Sequence, residues 1–406
     1  MSAGFWTRAA LVLLEMVFVF QSLFVPKQNS PNGRALTASD FLHTKGKYII
    51  NSAGKAVFLR GTNAGGWLVY EQWMCPADAP DQQTLRNTLK VRFGEAVRDE
   101  LVALYEDTYW TEQDFDNCAA MGMTAIRLPF NIFNLCGDSE DPETADFTRL
   151  DWFVSNCAAR GMYVILDLHG AFGSQNGEHH SGIINDGRQL YYNEDNRAKT
   201  LQLWEIIALH YKDNPAIAAY DLLNEPDNDT GHTGDVQFDY YDELYKAVRA
   251  VDPNHIIIIE ACWESQDIPH PSKYGWKNVM YEFHYYAWGK TDDADAIRFH
   301  SAEQIWKTGW KFFGCPIYIG EFTMFGKQEA WNYVLDSFNK VGWNWSTWTY
   351  KVTWDSSWGI YNHKPPTVNV NSDSADTIRL KWSQVGTDRA WATSYKDIIA
   401  AYCAAA

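Results

Sequence analysis

The sequence has little positive charge. Its 34 lysine and arginine residues are outnumbered by 51 aspartate and glutamate residues, so the formal net charge at pH 7 is −17. A protein of this charge repels phosphate groups, which argues against nucleic acid and against an anionic membrane surface as partners. The charge instead favours a protein that acts on neutral or cationic molecules.

Cysteine pairs of the kind that hold metal ions are also missing. The seven cysteines form no CxxC pair and no zinc-like spacing; they occur at positions 75, 118, 136, 157, 262, 315 and 403. A structural zinc site or a dithiol redox centre requires such spacings. We therefore expect no metal and no cofactor.

Only one long apolar run occurs, and it lies near the N terminus. It reads "AALVLLEMVFVFQSLFVP" after Arg8, and Glu15, Gln21 and Ser22 interrupt it. At about 17 residues the run is marginal for crossing a bilayer, and it resembles the core of a signal peptide or a short anchor. We expect residues 1–39 to form a signal peptide or an N-terminal anchor plus a polar linker, with secretion favoured. The anchor is the only membrane contact we expect, and the folded domain should occupy residues 40–406.

Aromatic residues, in contrast, are abundant. The chain has 19 tryptophans, 22 tyrosines and 21 phenylalanines. About half of them are expected to fill the core, because their large planar side chains bury much apolar surface. The others predict flat apolar platforms, which suit a ligand whose faces carry C–H groups, such as a sugar ring.

Eight short apolar runs alternate with amphipathic helical patterns from residue 57 onwards. The runs cover residues 57–65, 124–130, 163–170, 217–225, 255–261, 279–286, 316–322 and 343–350. Apolar strands alternating with helices indicate a parallel sheet covered on its outer face, and eight such units predict a closed (β/α)8 TIM barrel. Residues 46–59 predict a hairpin that turns at 51–54 and covers the barrel bottom. Residues 354–386 predict a long irregular loop.

Polar side chains mark the C-terminal ends of these strands, where TIM barrels carry their working residues. The set is Arg127, His169, Asn224, Glu225, His284, Tyr286, Glu321 and Trp348. A single arginine or histidine at a strand end is more often structural than catalytic. The occurrence of such residues at successive strand ends is what indicates a catalytic site.

Two carboxylates in this set, Glu225 at the end of the fourth strand and Glu321 at the end of the seventh, predict an acid–base pair that faces a cleft. Glycoside hydrolysis needs such a pair, because one group protonates the leaving oxygen and the other attacks the anomeric carbon or activates water. Rival acids near strand ends are Glu71, Asp167, Asp221, Glu260 and Glu282. Asp167 and Asp221 come too early in their strands, so we expect internal ion pairs or hydrogen bonds there. Glu282 stays a less favoured candidate.

With these residues in place, the sequence resembles glycoside hydrolase family 5, within the large clan A of (β/α)8 retaining glycosidases. The resemblance covers residues 45–402. Asn224-Glu225-Pro226 matches the acid/base signature of the family, and Glu321 in "IGEF" matches its nucleophile. The other matches are Arg127 in "IRLPF", His169 in "LDLHG", His284-x-Tyr286, and Trp348 after the eighth strand.

Two further stretches are similar to the exo-β-1,3-glucanase-like subgroup of that family. They are "RGTNAGGWLVYEQW" at 60–73 and "LHGAFGSQNGEHHSG" at 168–182. In the subgroup, the glutamate that matches Glu71 lines the glucose-binding pocket. The stretch "CPAD" at 75–78, Lys351, and "WGIYNHKPPTVNVNSD" depart from the subgroup's pattern, so they weaken the inference about linkage more than the inference about mechanism.

The resemblance implies a retaining β-glycosidase that hydrolyses β-glucan by double displacement, closest to an exo-β-1,3-glucanase, with β-glucosidase activity on oligosaccharides. Glu225 would be the acid/base and Glu321 the nucleophile. A proton donor needs a raised pKa, which burial and the charge of Glu321 would give Glu225. Glu321 must stay ionised, which Arg127 and Tyr286 would favour, and retention requires carboxyl groups about 5–5.5 Å apart.

The remaining residues receive supporting roles. Asn224 is expected to hydrogen-bond the sugar 2-hydroxyl, a contact that strengthens in the transition state. Trp348 would offer its face to the sugar at the scissile position. His169 and His284 would orient the site by hydrogen bonds.

Three alternatives stay open. An endo-β-1,4-glucanase or mannanase of the same family would have an open cleft. A metal-dependent TIM-barrel hydrolase would use His179 and His180 near His169, although such enzymes place a His-x-His on the first strand, which here reads "FLRGTNAGG". A non-catalytic carbohydrate-binding protein would keep the tryptophan platforms without needing both carboxylates. The expected partner is a β-glucan polysaccharide or oligosaccharide, and the expected state is a monomer.

Overall fold

A computed structural model describes residues 25–31, 33–185, 189–227, 235–261, 264–386 and 390–404 of the chain. Most of the predicted signal peptide or anchor, residues 1–24, lies outside these residues. In the described part, no helix is long and apolar enough to cross a membrane. The six described cysteines are buried and carry free thiols: Cys75, Cys118, Cys136, Cys157, Cys315 and Cys403.

Three short antiparallel strands come first: β1 (Leu42–Lys45), β2 (Tyr48–Asn51) and β3 (Ala56–Val57). The turn between β2 and β3 forms because the Asn51 side chain accepts hydrogen bonds from the backbone N–H groups of Ala53 and Lys55, at 3.1 and 3.0 Å. Apolar side chains of this sheet, such as Leu42, pack against Tyr163 at the start of a barrel strand. The predicted hairpin and its place at the barrel bottom are confirmed.

Eight parallel strands then close into a barrel, which confirms the predicted fold. They are β4 (Arg60–Asn63), β5 (Ala125–Asn131), β6 (Tyr163–Gly170), β7 (Ile217–Asp221), β8 (Ile256–Glu260), β9 (Val279–His284), β10 (Ile317–Glu321) and β11 (Asn344–Thr347). Strand β11 pairs with β4 in the register Trp345 to Arg60, which closes the barrel. All residues of the eight strands are buried, because their inner faces pack against one another and their outer faces pack against helices.

Helices surround the barrel. They are α1 (Gln82–Phe93), α2 (Glu95–Tyr109), α3 (Glu112–Ala120), α4 (Ile132–Cys136), α5 (Thr148–Ala159), α6 (Gln189–Tyr192), α7 (Glu194–Tyr211), α8 (Asp235–Val251), α9 (Ala294–Gly309), α10 (Gln328–Val341), α11 (Ala375–Ser383) and α12 (Lys396–Ala404). Thr111 and Asp114 form a capping box at the start of α3. Such reciprocal caps satisfy backbone N–H groups that a helix start leaves unpaired.

The segment after β11 differs from the predicted irregular loop. It contains a second three-stranded sheet of β12 (Lys351–Thr353), β13 (Tyr361–His363) and β14 (Trp391–Ala392), together with α11. Ser374 caps α11 by accepting from the N–H of Thr377, and Ile378 and Trp382, four residues apart, form its buried face. The segment therefore folds as an ordered extension of the barrel.

Candidate active site

The predicted site residues gather at the C-terminal ends of the barrel strands, around one open cavity of about 420 Å³. Its lining residues are Glu71, Trp73, His169, His179, His180, Glu225, Tyr286, Trp288, Glu321, Trp348 and Trp358. Five of them belong to the set of strand-end residues predicted from the sequence, and Glu71 was predicted separately as a pocket residue. Arg127, Asn224 and His284 lie behind the lining and contact it, as the following contacts show.

The sequence predicted that Glu225 is the last residue of a strand. This prediction is wrong, because β7 stops at Asp221. The Glu225 backbone has φ 42°, a left-handed conformation that costs a non-glycine residue free energy and needs support from its surroundings. The support is a hydrogen bond from the Glu225 N–H to the buried carboxylate Oε2 of Glu260, at 2.7 Å. The Asn176 amide also donates to the Glu225 carbonyl, at 3.1 Å. Glu260, a rival acid in the sequence, thus holds the backbone of Glu225.

Glu321 is the last residue of β10, and in the strand register it lies opposite His284. The Arg127 guanidinium donates to its Oε1 at 3.0 Å, and the Tyr286 hydroxyl donates to its Oε2 at 2.9 Å. Both predicted partners of Glu321 are therefore in place. They fix the carboxylate with one oxygen toward each donor.

The two carboxyl groups lie close together across the cavity. One oxygen of Glu225, one oxygen of Glu321 and a ring nitrogen of His284 lie within 4.8 Å of one another. The His284 Nδ1 is 2.7 Å from Glu225 Oε1 and 3.5 Å from Glu321 Oε2. A glycosidase that inverts stereochemistry needs carboxyl groups about 6.5–9.5 Å apart to admit a water molecule, whereas retention needs about 5–5.5 Å. The spacing here fits the second class.

Burial raises the pKa of both carboxyl groups. It is the largest cause for Glu321, whose pKa rises to about 7 although His284 and Arg127 act against the rise. Burial is also the largest cause for Glu225, with Glu71 adding to the rise and His180 opposing it. Arg127 and the Tyr286 hydroxyl both favour the ionised form of Glu321, as expected, but burial outweighs them and the net pKa is raised. The charge of Glu225 contributes to the raised pKa of Glu321, as two neighbouring carboxylates repel each other.

Arg127 is the hub that joins these groups to the barrel interior. It is fully buried and forms ion pairs with Asp167 at 3.0 Å, with Asp221 at 2.7 Å and with Glu282 at 3.4 Å, besides its bond to Glu321. Asp167 and Asp221 are therefore internal ion-pair residues, as predicted. One cation facing four carboxyl groups leaves negative charge in excess, and burial raises the pKa of Asp167 and of Glu282 well above the ordinary range.

Glu282 lies directly beneath the site and needs Gly320 beside it. A Cβ atom at Gly320 would stand 1.5 Å from Glu282 Oε1, so any other residue at this position would force the Glu282 side chain to move. The same oxygen is 3.3 Å from His284 Nε2. Glu282 contacts His284 from below, is not among the lining residues of the cavity, and so supports the site from behind.

Asn224, His169 and Trp348 form one continuous support. The Arg127 guanidinium donates to Asn224 Oδ1 at 2.8 Å, which turns the Asn224 amide nitrogen toward His169 Nε2 at 3.3 Å. The other His169 nitrogen, Nδ1, lies 2.7 Å from Asp167 Oδ2. The His169 ring stacks on Trp348 with 5.5 Å between centroids and 8° between planes. These contacts fix the orientation of the amide and the indole.

Glu71 lies elsewhere in the cavity lining with two partners that the sequence did not assign. The Trp73 indole N–H donates to Glu71 Oε2 at 2.7 Å, and His179 Nε2 is 2.9 Å from the same oxygen. His179 lowers the pKa of Glu71 against its burial. The neighbouring His180 contacts the acid/base candidate instead, with its Nε2 3.5 Å from Glu225 Oε2. The "GEHHSG" loop (residues 177–182) therefore helps to shape the cavity.

Three tryptophans of the rim were not predicted from the sequence. Trp73, Trp288 and Trp358 pack around one another: ring centroids are 5.3 Å apart for Trp73 and Trp358, and 5.8 Å for Trp288 and Trp358. They lie in the loops that follow β4, β9 and β12, so no helical or strand periodicity points to them. The only available signal was the excess of tryptophan itself.

The sequence left a metal-dependent reaction open through His169, His179 and His180. In the described part of the chain, the group of side chains near enough to share an ion is a different one, Glu225, His284 and Glu321. In that group His284 already contacts both carboxylates. The histidines of the "GEHHSG" loop contact Glu71 and Glu225 instead.

The raised pKa of Glu321 predicts a stability that depends on pH. An unfolded glutamate titrates near 4.5, whereas folded Glu321 titrates near 7. Between these values the unfolded chain has lost a proton that the folded chain keeps, so stability falls as pH rises through this window. Glu321→Gln removes the group, so the melting temperature of this variant should rise relative to that of the wild type as the pH increases from 4.5 to 8.

Thermal melts of both proteins across this pH range test the prediction. Glu329→Gln, at a side chain that is 80% exposed on α10, serves as the matched control and should follow the wild-type curve. Parallel curves for Glu321→Gln and wild type would contradict the prediction.

Comparison with known proteins agrees with this geometry. The family model described as Cellulase (glycosyl hydrolase family 5) matches residues 92–353. A "Beta-xylosidase" of Phanerodontia chrysosporium is 28% identical over 341 residues, which cover 77% of this chain and 71% of that protein. A "Probable glucan 1,3-beta-glucosidase A" of Aspergillus fumigatus is 29% identical over 232 residues, which cover 56% of this chain and 55% of that protein. The chain thus spans a little over half the length of this second relative.

A solved structure shows the same fold. The rutinosidase from Aspergillus niger superimposes with a TM-score of 0.60 at 16% sequence identity, over 85% of this chain and 98% of that one.

Proposed function

The chain belongs to glycosyl hydrolase family 5, and from this premise we propose that it is a retaining β-glycosidase that removes glucose from β-1,3-linked glucans and their oligosaccharides. The match and the relatives make it a glycoside hydrolase. One observation supports the mechanism above all others: Glu225 and Glu321 offer oxygens within 4.8 Å of each other, in a cavity lined by tryptophan. That spacing fits double displacement and leaves no room for the water of an inverting reaction.

In the first step, protonated Glu225 gives its proton to the glycosidic oxygen while Glu321 attacks the anomeric carbon. The bond to the leaving sugar breaks, and a covalent glycosyl–enzyme forms on Glu321. In the second step, Glu225 takes a proton from water, and that water attacks the anomeric carbon and frees Glu321. The raised pKa of Glu225 keeps it protonated for the first step, and the Arg127 and Tyr286 donors stabilise the charge that returns to Glu321.

His284 is suited to follow the change of protonation state. Its pKa is lowered to about 4, chiefly by burial, with Arg127 adding to the effect, so the ring is neutral at neutral pH and carries one N–H. When Glu225 is protonated, it donates to His284 Nδ1; when Glu225 is ionised, Nδ1–H donates to it over the same 2.7 Å. A neutral histidine can serve both states by changing its tautomer.

The substrate preference rests on two supports. The names of the relatives, a β-xylosidase and a glucan 1,3-β-glucosidase, favour release of single sugars from β-linked glycosides. The cavity offers Glu71, held by Trp73 and His179, as a fixed acceptor for sugar hydroxyls. The aromatic rim of Trp288 and Trp358 supplies apolar faces for further sugar units.

Product analysis on three polysaccharides tests the proposal. On laminarin we expect glucose as the first product, released as the β-anomer in early ¹H NMR spectra, with much lower rates on carboxymethylcellulose and mannan. Early release of longer oligosaccharides from cellulose or mannan would instead favour an endo-β-1,4-glucanase or a mannanase. Early α-anomer would refute retention, and loss of turnover with a chelator would favour a metal-dependent hydrolase.

A further inference from the structure

A cluster of aromatic side chains lies exposed at the C-terminal end of α9. We name it the aromatic patch and define it as Trp306, Trp310 and Phe312, which are 45%, 64% and 75% exposed. Exposed apolar clusters of this kind mark contact surfaces for other molecules. The rings are nearly perpendicular: the planes of Trp306 and Trp310 meet at 68° and those of Trp310 and Phe312 at 83°. A flat polysaccharide needs coplanar ring faces, so the patch is not a sugar platform.

The patch continues into an apolar groove of about 350 Å³. Phe312 belongs to both, and the groove is further lined by Lys47, Ile305, Phe313, Cys315, Val341 and Trp343 among others. Cys315 and Trp343 come just before β10 and β11, so the groove opens at the N-terminal ends of the barrel strands. This end of the barrel is opposite to the one that carries Glu225 and Glu321.

The described part of the chain starts beside this groove. A Cβ atom at Gly342, between groove residues Val341 and Trp343, would lie 3.4 Å from the Val25 side chain. The 16 residues from Ala9 to Phe24 that precede Val25 are apolar except for Glu15, Gln21 and Ser22. The long apolar run of the sequence therefore joins the barrel at the same end as the aromatic patch.

We propose that the aromatic patch and the groove beside it rest on a lipid bilayer of zwitterionic headgroups. Tryptophan prefers the boundary between headgroups and acyl chains, since its ring is apolar and its N–H is polar. Lys47 at the groove and Lys311 within the patch segment can place their ammonium groups on lipid phosphates while their stems stay on apolar surface. The net charge of −17 disfavours anionic membranes, which is why the headgroups are zwitterionic.

Two weak membrane contacts reinforce each other. Stable attachment to a bilayer usually needs two signals, and the aromatic patch would add to the apolar run that precedes Val25 in the sequence. The active site then opens away from the bilayer, toward material outside it. The proposal stands independently of the reaction that the site catalyses.

Flotation of the full 406-residue chain with phosphatidylcholine vesicles tests the proposal. The wild type should float with the vesicles, and the triple variant Trp306→Ser, Trp310→Ser, Phe312→Ser should lower the bound fraction about tenfold or more. The matched control is Val91→Ser, Trp354→Ser, Leu380→Ser, which removes three exposed apolar side chains outside the patch and should float like the wild type. All three proteins should show the same circular dichroism, because the replaced side chains are exposed.

Three outcomes would overturn the proposal. In the first, the wild type does not float with the vesicles. In the second, the triple variant floats as well as the wild type, and any binding is then due to the apolar run alone. In the third case, analytical ultracentrifugation would show a wild-type dimer that the triple variant dissociates, and a second copy of the chain would then cover the patch.

Discussion

Glu321→Gly is expected to lower the rate of sugar release by about 10⁴-fold or more, because it removes the carboxylate that we propose as the nucleophile. The backbone should tolerate the change, since Glu321 is the last residue of β10 and its side chain points into the cavity. Steady-state kinetics with an aryl β-glucoside measure the loss. Circular dichroism shows whether the variant is folded.

Azide makes this prediction specific to the role of Glu321. A small anion can enter the space left by the carboxylate and attack the anomeric carbon, which restores turnover and yields an α-glycosyl azide. The companion variant Glu225→Gln should lose about 10²–10⁴-fold on substrates with poor leaving groups and much less on activated ones, because its proton matters only where the leaving oxygen is basic. Near-wild-type turnover in Glu321→Gly, or azide rescue that gives the β-azide, would contradict the assignment.

Arg127→Met is expected to damage both stability and catalysis. Removing the cation leaves the buried carboxylates of Asp167, Asp221 and Glu282 without their partner, and breaking a buried ion pair in this way costs about 3–5 kcal/mol of unfolding free energy. Glu321 also loses one of its two donors, which should lower kcat by about 10²–10³-fold. Chemical denaturation and steady-state kinetics measure the two effects.

Two variants separate these effects from general loss of a buried arginine. Arg60→Met removes another buried arginine, in β4, whose guanidinium contacts the Phe58 ring and the Tyr402 carbonyl; it should destabilise the protein and leave kcat of the folded fraction near the wild-type value. Arg127→Lys keeps the charge but loses the forked donors that hold Glu321 and Asn224 at once, so stability should recover more than kcat does. Equal kcat values for Arg127→Met, Arg127→Lys and Arg60→Met would contradict a role of Arg127 in catalysis.

The barrel could be predicted from the sequence because its strands are buried on both faces. Such strands are continuous apolar runs, and each of the eight runs contains a barrel strand in the structure, except that β5 extends one residue beyond its run, to Asn131. Strand ends were less accurate. The fourth run continues as far as Glu225, whereas β7 stops at Asp221, since the path of residues 222–225 is set by tertiary contacts, above all the hydrogen bond from Glu225 N–H to Glu260.

The extension after β11 was missed for a different reason. Its strands are three residues long or shorter, too short for an alternating pattern to show. Helix α11 did carry a local signal, because Ser374 precedes it as a cap and Ile378 and Trp382 have helical spacing. The prediction of an irregular loop rested on the overall polarity of residues 354–386, which hid the signal of this one helix.

In the site, residues at strand ends were predictable and their charge balance was not. Barrel topology alone places His284 and Glu321 at one rim, because each is the last residue of a parallel strand, whereas Arg127 is the third residue of β5 and reaches Glu321 from inside the barrel. The pKa of Glu321 depends on how deeply it is buried, and no motif encodes that. The rim tryptophans depend on loop conformation, which the sequence does not reveal.

The close approach of Gly320 to the Glu282 carboxylate limits how this site can be altered by directed evolution. The place that a methyl group would need at position 320 is occupied by the Glu282 carboxylate, so a larger residue at 320 requires the Glu282 side chain to move. A library that keeps Glu282 should therefore favour glycine at 320, and a library that keeps Gly320 will leave a void wherever it shortens residue 282. Productive combinations lie where both positions change together, with a smaller residue at 282 accompanying a larger one at 320.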